Sequence, residues 1–258
     1  MTMKIAVCVK HAIDETELRM DAAGKPMVEA SPYKMSTFDK SAVEEAVRIK
    51  TSHGGEVTVF TVGIQDAKRT IKEALAMGAD KGVHVLADAG TADTLGTARL
   101  LTGAMKMAGG FDLILCAEGS SDTYTGQVPP MIAELLALPF VGFARKIELK
   151  SGVATLEQSY EDTITSVQCQ LPLVVSVVSE INEPRYPTLI QIMQAGKKPL
   201  TEVPLGALGP AGLSGGNVGV VSMSGKPMNR KRVLIDGSPD EAARKLLDAL
   251  ASEGVIPK

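Results

Sequence analysis

The chain has 258 residues, of which 45% are hydrophobic and 22% are charged, and this balance is typical of a globular protein with a sizeable core. Its net charge of −3 excludes a broad basic surface for nucleic acid. An aromatic content of 3% without tryptophan also disfavours a protein that stacks bases. We therefore predict no nucleic-acid partner.

The cysteines and the N-terminus bear on compartment and metal binding. The three cysteines are far apart and lack paired spacing, which argues against a disulfide framework and a zinc site, so we predict no metal. The N-terminus leads directly into a strand-like segment without a signal peptide, and no apolar run approaches the roughly 20 residues that cross a bilayer. We expect a cytoplasmic protein without direct membrane insertion.

Apolar runs alternate with segments of helical period through the first half of the chain. The predicted strands are 3–9, 57–62, 83–86 and 113–116, and the predicted helices are 37–51, 66–77, 93–108 and 128–136. Ser36 or Thr37 is expected to cap the first helix and Asp66 the second. The first helix should keep Glu44 and Glu45 on its outer face. This alternation predicts an α/β fold with a Rossmann-like or flavodoxin-like parallel sheet.

The rhythm changes from about residue 140. Closely spaced strands at 144–149, 153–158, 164–170 and 173–178 predict a β-rich extension of the sheet. Residues 182–235 are rich in Pro, Gly and Lys and show little periodicity, so we expect a recognition loop and a long partner-wrapping arm. A final helix runs from about Pro239 to Ser252, with Ser238 as its cap. The predicted units are therefore 1–181, 182–235 and 236–258.

Motifs for familiar chemistry are missing. No glycine fingerprint follows the first strand, where the sequence reads Val9-Lys10-His11-Ala12, and there is no P-loop, HExxH or nucleophile elbow. The histidines fit no metal triad, and we interpret them as surface or internally satisfied side chains. We predict no catalytic residue and no substrate turnover from this chain alone.

Three segments are candidates for binding. Residues 117–127 (AEGSSDTYTGQ) link a strand to a helix, where small residues, hydroxyls and a helix N-terminus suit a phosphate, although an ordinary capped loop remains an alternative. Ser36 and Asp39 open the first helix, and capping alone also explains them. Residues 182–189 (NEPRYPTL) place Arg185 and Tyr186 between prolines, as either a recognition element or a rigid connector.

Together and in this order, five blocks resemble the electron-transfer flavoprotein beta subunit. The most specific is INEPRYPTLIQIMQAGKKPL at 181–200, and the others are KIAVCVKHAID, FDKSAVEEAVRIK, EALAMGADKGVHV and SSDTYTGQVPPMIAELLALP. The resemblance implies a heterodimer with an alpha subunit and a redox-active FAD that lies chiefly in that partner. It also implies an adenine nucleotide in the crevice of the beta subunit, which is AMP in most members and a second FAD that takes electrons from NADH in electron-bifurcating members.

The resemblance also assigns residues. The implied nucleotide contacts are Val9, Ser36, Asp39, Gly63, Ser121, Asp122, Thr123, Tyr124, Thr125, Gly126 and Gln127. The implied recognition loop spans 182–195 and docks acyl-CoA dehydrogenases of fatty acid beta-oxidation, with Leu189 as its apolar anchor beside Arg185, Tyr186 and Met193. Electrons would then pass to a quinone reductase, ferredoxin or flavodoxin.

Departures from the family pattern bear on the ligand. Thr123 and Tyr124 stand where bifurcating members tend to have Gly and Asp, and a side chain at 123 restricts positive φ there. This favours AMP over FAD, whereas Ala92-Asp93-Thr94 resembles a stretch common in bifurcating members. Outside the family, a stand-alone universal-stress-type nucleotide sensor shares a similar α/β core, and a hydrolase or ligase is a further competitor.

Overall fold

The computed structural model describes residues 2–87, 92–209, 218–225 and 231–256. Its elements in chain order are β1 Lys4–Cys8, β2 His11–Ile13, β3 Tyr33–Met35, α1 Thr37–His53, β4 Glu56–Gly63, α2 Lys68–Met77, β5 Lys81–Leu86, α3 Thr94–Met107, β6 Leu113–Ala117, α4 Val128–Leu136, β7 Phe140–Lys150, β8 Val153–Tyr160, β9 Thr163–Gln170, β10 Leu173–Val177, α5 Leu189–Ala195, β11 Leu200–Pro204 and α6 Pro239–Ser252. The α/β fold class is confirmed.

One sheet organises the described residues. Nine strands lie in the order β11-β5-β4-β1-β6-β10-β7-β8-β9. The neighbours from β11 to β7 run parallel, whereas β7-β8-β9 is an antiparallel meander that forms the predicted β-rich extension. The chain adds β4 and β5 on one side of β1 and then returns to place β6 on the other. This reversal creates a crevice at the carboxyl ends of β1, β4 and β6, which is where open α/β sheets bind ligands.

Helices cover both faces of the sheet because its strands are apolar on both sides. Along β1, Ile5 and Val7 belong to one core cluster and Ala6 and Cys8 to the other, as the two-residue period of a strand requires. The first cluster is completed by α1 and α2, and the second by α3 and α4. A sheet buried on both faces explains why its central strands read as continuous apolar runs.

Several local predictions were wrong. Asp66 does not cap α2: it lies in a 3₁₀ turn, Gln65–Ala67, and its carboxylate pairs with Arg69 at 2.8 Å. The sequence pattern also missed the β2-β3 hairpin, α5 and β11. Since β11 pairs in parallel with β5, part of the predicted arm is an edge strand of the sheet.

The C-terminal part has few contacts with the sheet. The apolar side chains of residues 218–225 and 231–234 are largely exposed, with Val221 fully accessible and Leu234 at 88%. The helix α6 begins with the predicted Ser238 cap in a reciprocal capping box with Glu241, yet it buries no residue. None of the described helices has the length and apolar character that a bilayer crossing requires.

Candidate functional site

A cavity of about 240 Å³ lies at the carboxyl ends of β1, β4 and β6. Its floor comes from the strand ends and its walls from α3, the start of α4 and the loop after β6, which we call the crevice loop (residues 118–127). The described lining residues are Cys8, Val9, Lys10, His11, Asp39, Val62, Ala92, Asp93, Thr94, Thr97, Leu101, Cys116, Ala117, Gly119, Ser120, Thr123, Thr125, Gly126, Val128 and Pro129.

Lys10 is the cation of this cavity. Its ammonium donates to Asp122 Oδ1 at 2.7 Å, to Thr123 Oγ1 at 3.2 Å and to Ser120 Oγ at 3.4 Å. Burial alone would raise the pKa of Asp122, but the bonds from Lys10 and Ser120 outweigh it and lower that pKa. The lysine is thus held against the crevice loop by an internal ion pair. Sequence analysis did not place Lys10 in the site, although its position directly after the first strand could have marked it.

The two predicted halves of the site meet. Ser36 is fully buried and sits at the cap position of α1, but its hydroxyl makes no capping bond. Instead, Ser36 Oγ accepts the backbone N–H of Ser121 at 3.2 Å, and Phe38 contacts the Tyr124 ring edge-on at 5.4 Å between centroids. The start of α1 therefore positions the crevice loop.

Asp39 is the buried carboxylate of the cavity. It is 5% exposed, and its Oδ2 accepts the backbone N–H of Lys10 at 2.6 Å. Burial raises the pKa of Asp39 to about 7, against the lowering effect of that hydrogen bond and of the Lys10 charge. Protonation of Asp39 near neutral pH would remove a negative charge from the cavity and relieve its repulsion with Asp122.

Backbone shape in the crevice loop agrees with the restriction on positive φ that was expected at Thr123. The positive φ angles fall on Tyr124 at 46° and Gly126 at 64°, so Thr123 does not carry the tight turn. A Cβ on Gly119 would lie 2.7 Å from the Tyr124 ring, which shows that the ring packs directly over that glycine. Thr123 lines the cavity, and its hydroxyl accepts from the Lys10 ammonium at 3.2 Å.

Of the remaining predicted residues, Gly63 and Gln127 are not among those that line the cavity. The carbonyl of Gly63, at the end of β4, accepts from His84 Nε2 at 3.0 Å, and Gln127 Oε1 accepts from the Thr94 hydroxyl at 2.8 Å. Val9, Thr125 and Gly126 line the cavity directly. Sequence analysis left Thr94 and Thr97 of α3 out of the site, and both line the cavity.

Two buried polar atoms beside the cavity are unsatisfied within the described residues. They are the Ser121 hydroxyl in the crevice loop and His11 Nε2, whose nearest charged group is Asp66 Oδ2 at 3.5 Å. Such groups are costly unless a ligand or water completes them. Separately, the Lys10 ammonium and the hydroxyls of Ser120, Thr123 and Thr125 form a donor set that fits a phosphate-bearing ligand. No group of three or more metal-binding side chains occurs in the described ranges.

A second feature lies apart from the cavity. Residues 186–193, which we call the exposed segment, present an unusual density of uncovered apolar side chains: Tyr186 at 92%, Leu189 at 73%, Ile190 at 67%, Ile192 at 54% and Met193 at 70% exposure. The segment includes α5, which opens with a reciprocal capping box between Thr188 and Gln191. A patch of this kind on an ordered element is characteristic of a protein-contact site.

Arg185 differs from its neighbours in the predicted recognition loop. Its guanidinium binds the carboxylate of Glu44 through Nε at 2.6 Å and Nη2 at 2.9 Å. Glu44 and Glu45 were expected on the outer face of α1, and that expectation was wrong, since they are only 3% and 8% exposed beneath residues 182–185. The exposed segment is thereby joined to the same helix that opens the cavity.

Comparisons with known proteins agree with this architecture. Residues 26–208 match the electron transfer flavoprotein domain. The chain is 34% identical to the electron transfer flavoprotein subunit beta of Thermoanaerobacterium thermosaccharolyticum, over 98% of this chain and 100% of the relative. It is 33% identical to the same subunit of Bacillus subtilis, with the same coverage. It is also 34% identical, over 77% of each chain, to subunit CarD of the caffeyl-CoA reductase-Etf complex of Acetobacterium woodii.

Proposed function

The chain belongs to the electron transfer flavoprotein family as a beta subunit, and on that basis we propose that it pairs with an alpha subunit to carry electrons from acyl-CoA dehydrogenases to a downstream acceptor. The acceptor would be a quinone reductase, ferredoxin or flavodoxin. The isoalloxazine ring of an FAD held chiefly by the alpha subunit would supply the redox chemistry. We place this heterodimer in the cytoplasm, and we infer a structural role for this chain with no substrate turnover of its own.

The observation that carries the proposal is the crevice at the topological reversal of the sheet. There, the Lys10 ammonium, the hydroxyls of Ser120, Thr123 and Thr125, and the backbone of the crevice loop surround one small cavity. We propose that they bind the phosphate of AMP, with Val9, Gly63 and Gln127 at the rim. A phosphate would take over hydrogen bonds that Lys10 now makes to Asp122, and a protonated Asp39 would reduce repulsion of the anion.

The exposed segment supports the docking part of the proposal. Its apolar side chains are 54–92% exposed, and α5 is held on α2 through the buried Ala195. We propose that Tyr186, Leu189 and Met193 pack against the donor dehydrogenase, with Leu189 as the anchor. A small contact of this kind suits a partner that must bind and leave in each electron transfer. We further propose that 182–235 provides both this loop and an arm for the alpha subunit.

A second candidate function has specific support. Ala92, Asp93 and Thr94 line the cavity, and these residues resemble a stretch common in bifurcating members. One relative is a subunit of the caffeyl-CoA reductase-Etf complex. In this alternative, the crevice holds a second FAD that is reduced by NADH.

Cofactor counting tests the proposal. The chain, co-expressed with its alpha subunit, is purified, denatured and assayed for released FAD and AMP. We expect one of each per heterodimer and reduction of the flavin by an acyl-CoA dehydrogenase with its acyl-CoA substrate. Two FAD without AMP would favour the second candidate, while failure to assemble with the alpha subunit or to hold flavin would overturn both.

A further inference from the structure

The exposed segment is fixed to the body of the protein on both sides. Upstream, Asn182 and Arg185 bind α1, and downstream the Lys198 ammonium donates to the carbonyls of Leu75 at 2.8 Å and Ala79 at 2.6 Å, at the end of α2. The apolar side chains between these contacts project outward. The segment is thus a short knob whose two ends are bonded and whose middle is uncovered.

The upstream contact centres on a buried carboxylate. Glu44 receives two bonds from the Arg185 guanidinium and a third, at 3.3 Å, from the Arg185 backbone N–H. It also accepts Arg48 Nε at 2.9 Å, from one turn later on the same helix. Burial alone would raise the pKa of Glu44, but the Arg185 and Arg48 bonds outweigh it and keep that pKa below its usual value. Glu44 is therefore an ionised buried acid that depends on these arginines.

A neighbouring contact fixes the direction of the chain. Asn182 Nδ2 donates to the Ser41 carbonyl and to Glu45 Oε2, each at 3.0 Å. Two successive acids of α1 therefore bind two residues of one incoming loop. A paired, bidentate geometry defines the orientation of the chain better than a single point contact does.

We propose that Arg185 is a positioning residue for partner docking: it acts through Glu44 to hold the exposed segment in its binding-ready shape, and it does not itself bind the dehydrogenase. This inference rests on the proposed function and refines the partner-docking role that the family resemblance implies for Arg185. The Nε and Nη2 atoms of Arg185 both donate to the Glu44 carboxylate. Using the guanidinium on a partner would leave a buried carboxylate with one arginine fewer, which is costly.

The benefit of such an anchor is preorganisation. An exposed loop that is disordered before binding must be ordered during binding, and that cost reduces affinity. A loop that is already bonded on both sides presents Leu189 and Met193 without this cost. Loss of the Arg185 bonds should therefore weaken docking while leaving the apolar contact chemistry unchanged.

The chain provides a matched control for this idea. Arg48 and Arg185 bind the same oxygen of Glu44 at the same distance of 2.9 Å. Arg48 lies on α1 itself, so its removal weakens the pairing of Glu44 without releasing the loop. The comparison of Arg185→Gln with Arg48→Gln separates loop anchoring from loss of charge near Glu44.

A double-mutant cycle in the heterodimer tests the inference. Arg185→Gln, Glu44→Gln and the double variant are assayed for flavin reduction by an acyl-CoA dehydrogenase with its acyl-CoA substrate. We expect kcat/KM to fall about tenfold in each single variant through KM, with no further loss in the double variant. Arg48→Gln should stay near wild type. An equal additional loss from Arg185→Gln in the Glu44→Gln background would mean direct partner contact and would overturn the inference.

A measurement without the dehydrogenase separates this inference from the docking proposal. Hydrogen exchange of the amides in residues 186–193 should accelerate in Arg185→Gln and Glu44→Gln, less in Arg185→Lys, and not in Arg48→Gln. Unchanged exchange in Arg185→Gln would overturn the positioning role even if docking is real. Faster exchange in Arg185→Gln, combined with an unchanged rate of flavin reduction in Leu189→Ala, would show that Arg185 and Glu44 hold the exposed segment but that the segment does not dock the donor.

Discussion

The start of α1 contacts the crevice loop, and Glu44 on the same helix binds Arg185, just before the exposed segment. The polar groups of the two regions are nevertheless arranged differently. In the crevice, charged groups satisfy one another, as Lys10 does with Asp122, before any ligand arrives. On either side of the exposed segment, Arg185 and Lys198 are hydrogen-bonded to the body of the protein, while the apolar side chains between them are largely exposed. Under the proposed function, the site for a retained small anion is organised by internal ion pairs, whereas the site for an exchangeable protein is organised by fixing its backbone.

The largest expected difference between the two regions concerns the buried acid of the crevice. Burial raises the pKa of Asp39 to about 7 from 3.8, so the folded chain holds this proton more tightly than the unfolded chain. The stability that this proton contributes is fully present below about pH 4 and is lost as pH rises through 7. We expect Asp39→Asn to gain about 2–3 kcal/mol over wild type between pH 5 and pH 8.

Denaturant unfolding of the heterodimer at several pH values measures this effect. The curves of Asp39→Asn and wild type should separate as pH rises, with the variant the more stable at pH 8. Glu45→Gln is the matched change near the exposed segment. It also removes a carboxyl whose pKa burial raises, although the hydrogen bond from Asn182 lowers that pKa. Parallel wild-type and Asp39→Asn curves across this range would contradict a buried, proton-holding Asp39.

Loss of the crevice cation should be the next largest effect. Lys10→Met removes the ammonium that we assign to the phosphate and leaves Asp122 without its ion pair. Charge-assisted hydrogen bonds contribute about 1.5–3 kcal/mol, so AMP affinity should fall about 10- to 100-fold while dehydrogenase docking is unchanged. Calorimetric titration of nucleotide-depleted heterodimer measures it.

The control for Lys10→Met is Lys81→Met. Lys81 forms an ion pair of similar length, 2.8 Å to Glu56, at the amino ends of β5 and β4, opposite the carboxyl ends that form the crevice. This control should leave AMP binding at the wild-type value. Equal losses in both variants would indicate a general electrostatic effect and would remove the specific role of Lys10.

On the exposed segment, substitution of Leu189 should weaken dehydrogenase docking, whereas Lys10→Met should leave docking unchanged. Leu189→Ala removes apolar surface that we expect to be buried only in the docked complex, so kcat/KM for flavin reduction should fall about tenfold. Folding stability should change by less than about 0.5 kcal/mol, because the side chain is 73% exposed. Met107→Ala, at a comparably exposed site on α3, is the control and should not change the rate.

The smallest expected effect lies at the junction of α1 with the crevice loop. Ser36→Ala removes the acceptor of the Ser121 N–H, which is worth about 1 kcal/mol, so AMP affinity should fall about fivefold. Because the Ser36 hydroxyl makes no capping bond, the stability of α1 itself should not change. Thr37→Ala serves as a neighbouring control. A loss of helix stability in Ser36→Ala without a change in AMP affinity would mean that Ser36 caps α1 and does not position the crevice loop.

The sequence predicted those parts of the molecule that depend on local pattern. Apolar runs identified the central strands, and the position of the crevice loop between a strand and a helix marked the end of the sheet where the cavity lies. The residues themselves marked Ser36 and Asp39 as a candidate segment, and the family resemblance assigned both to the same site as the loop. The structure brings them to the loop, and their ligand contacts stay predictions. Ser238 was identified as a helix cap because capping depends on a few adjacent residues.

The features that sequence analysis missed depend on contacts between distant segments. Glu44 and Glu45 lie on the polar face of α1 by period, and only the loop at 182–185 buries them. The strand β11 is short and partly exposed, so its pairing with β5 leaves little periodic signal. The place of Lys10 in the site depends on Asp122, which is 112 residues away. Charged pairs of this range leave no local pattern in the sequence.

The central claim is that the crevice between β1, β4 and β6 binds the phosphate of an adenine nucleotide. The most direct measurement is to denature the purified heterodimer and quantify every nucleotide that it releases. We predict one AMP for each FAD in wild type and markedly less AMP in Lys10→Met at unchanged FAD. Release of a single FAD with no second adenine nucleotide from the wild-type heterodimer would contradict the claim.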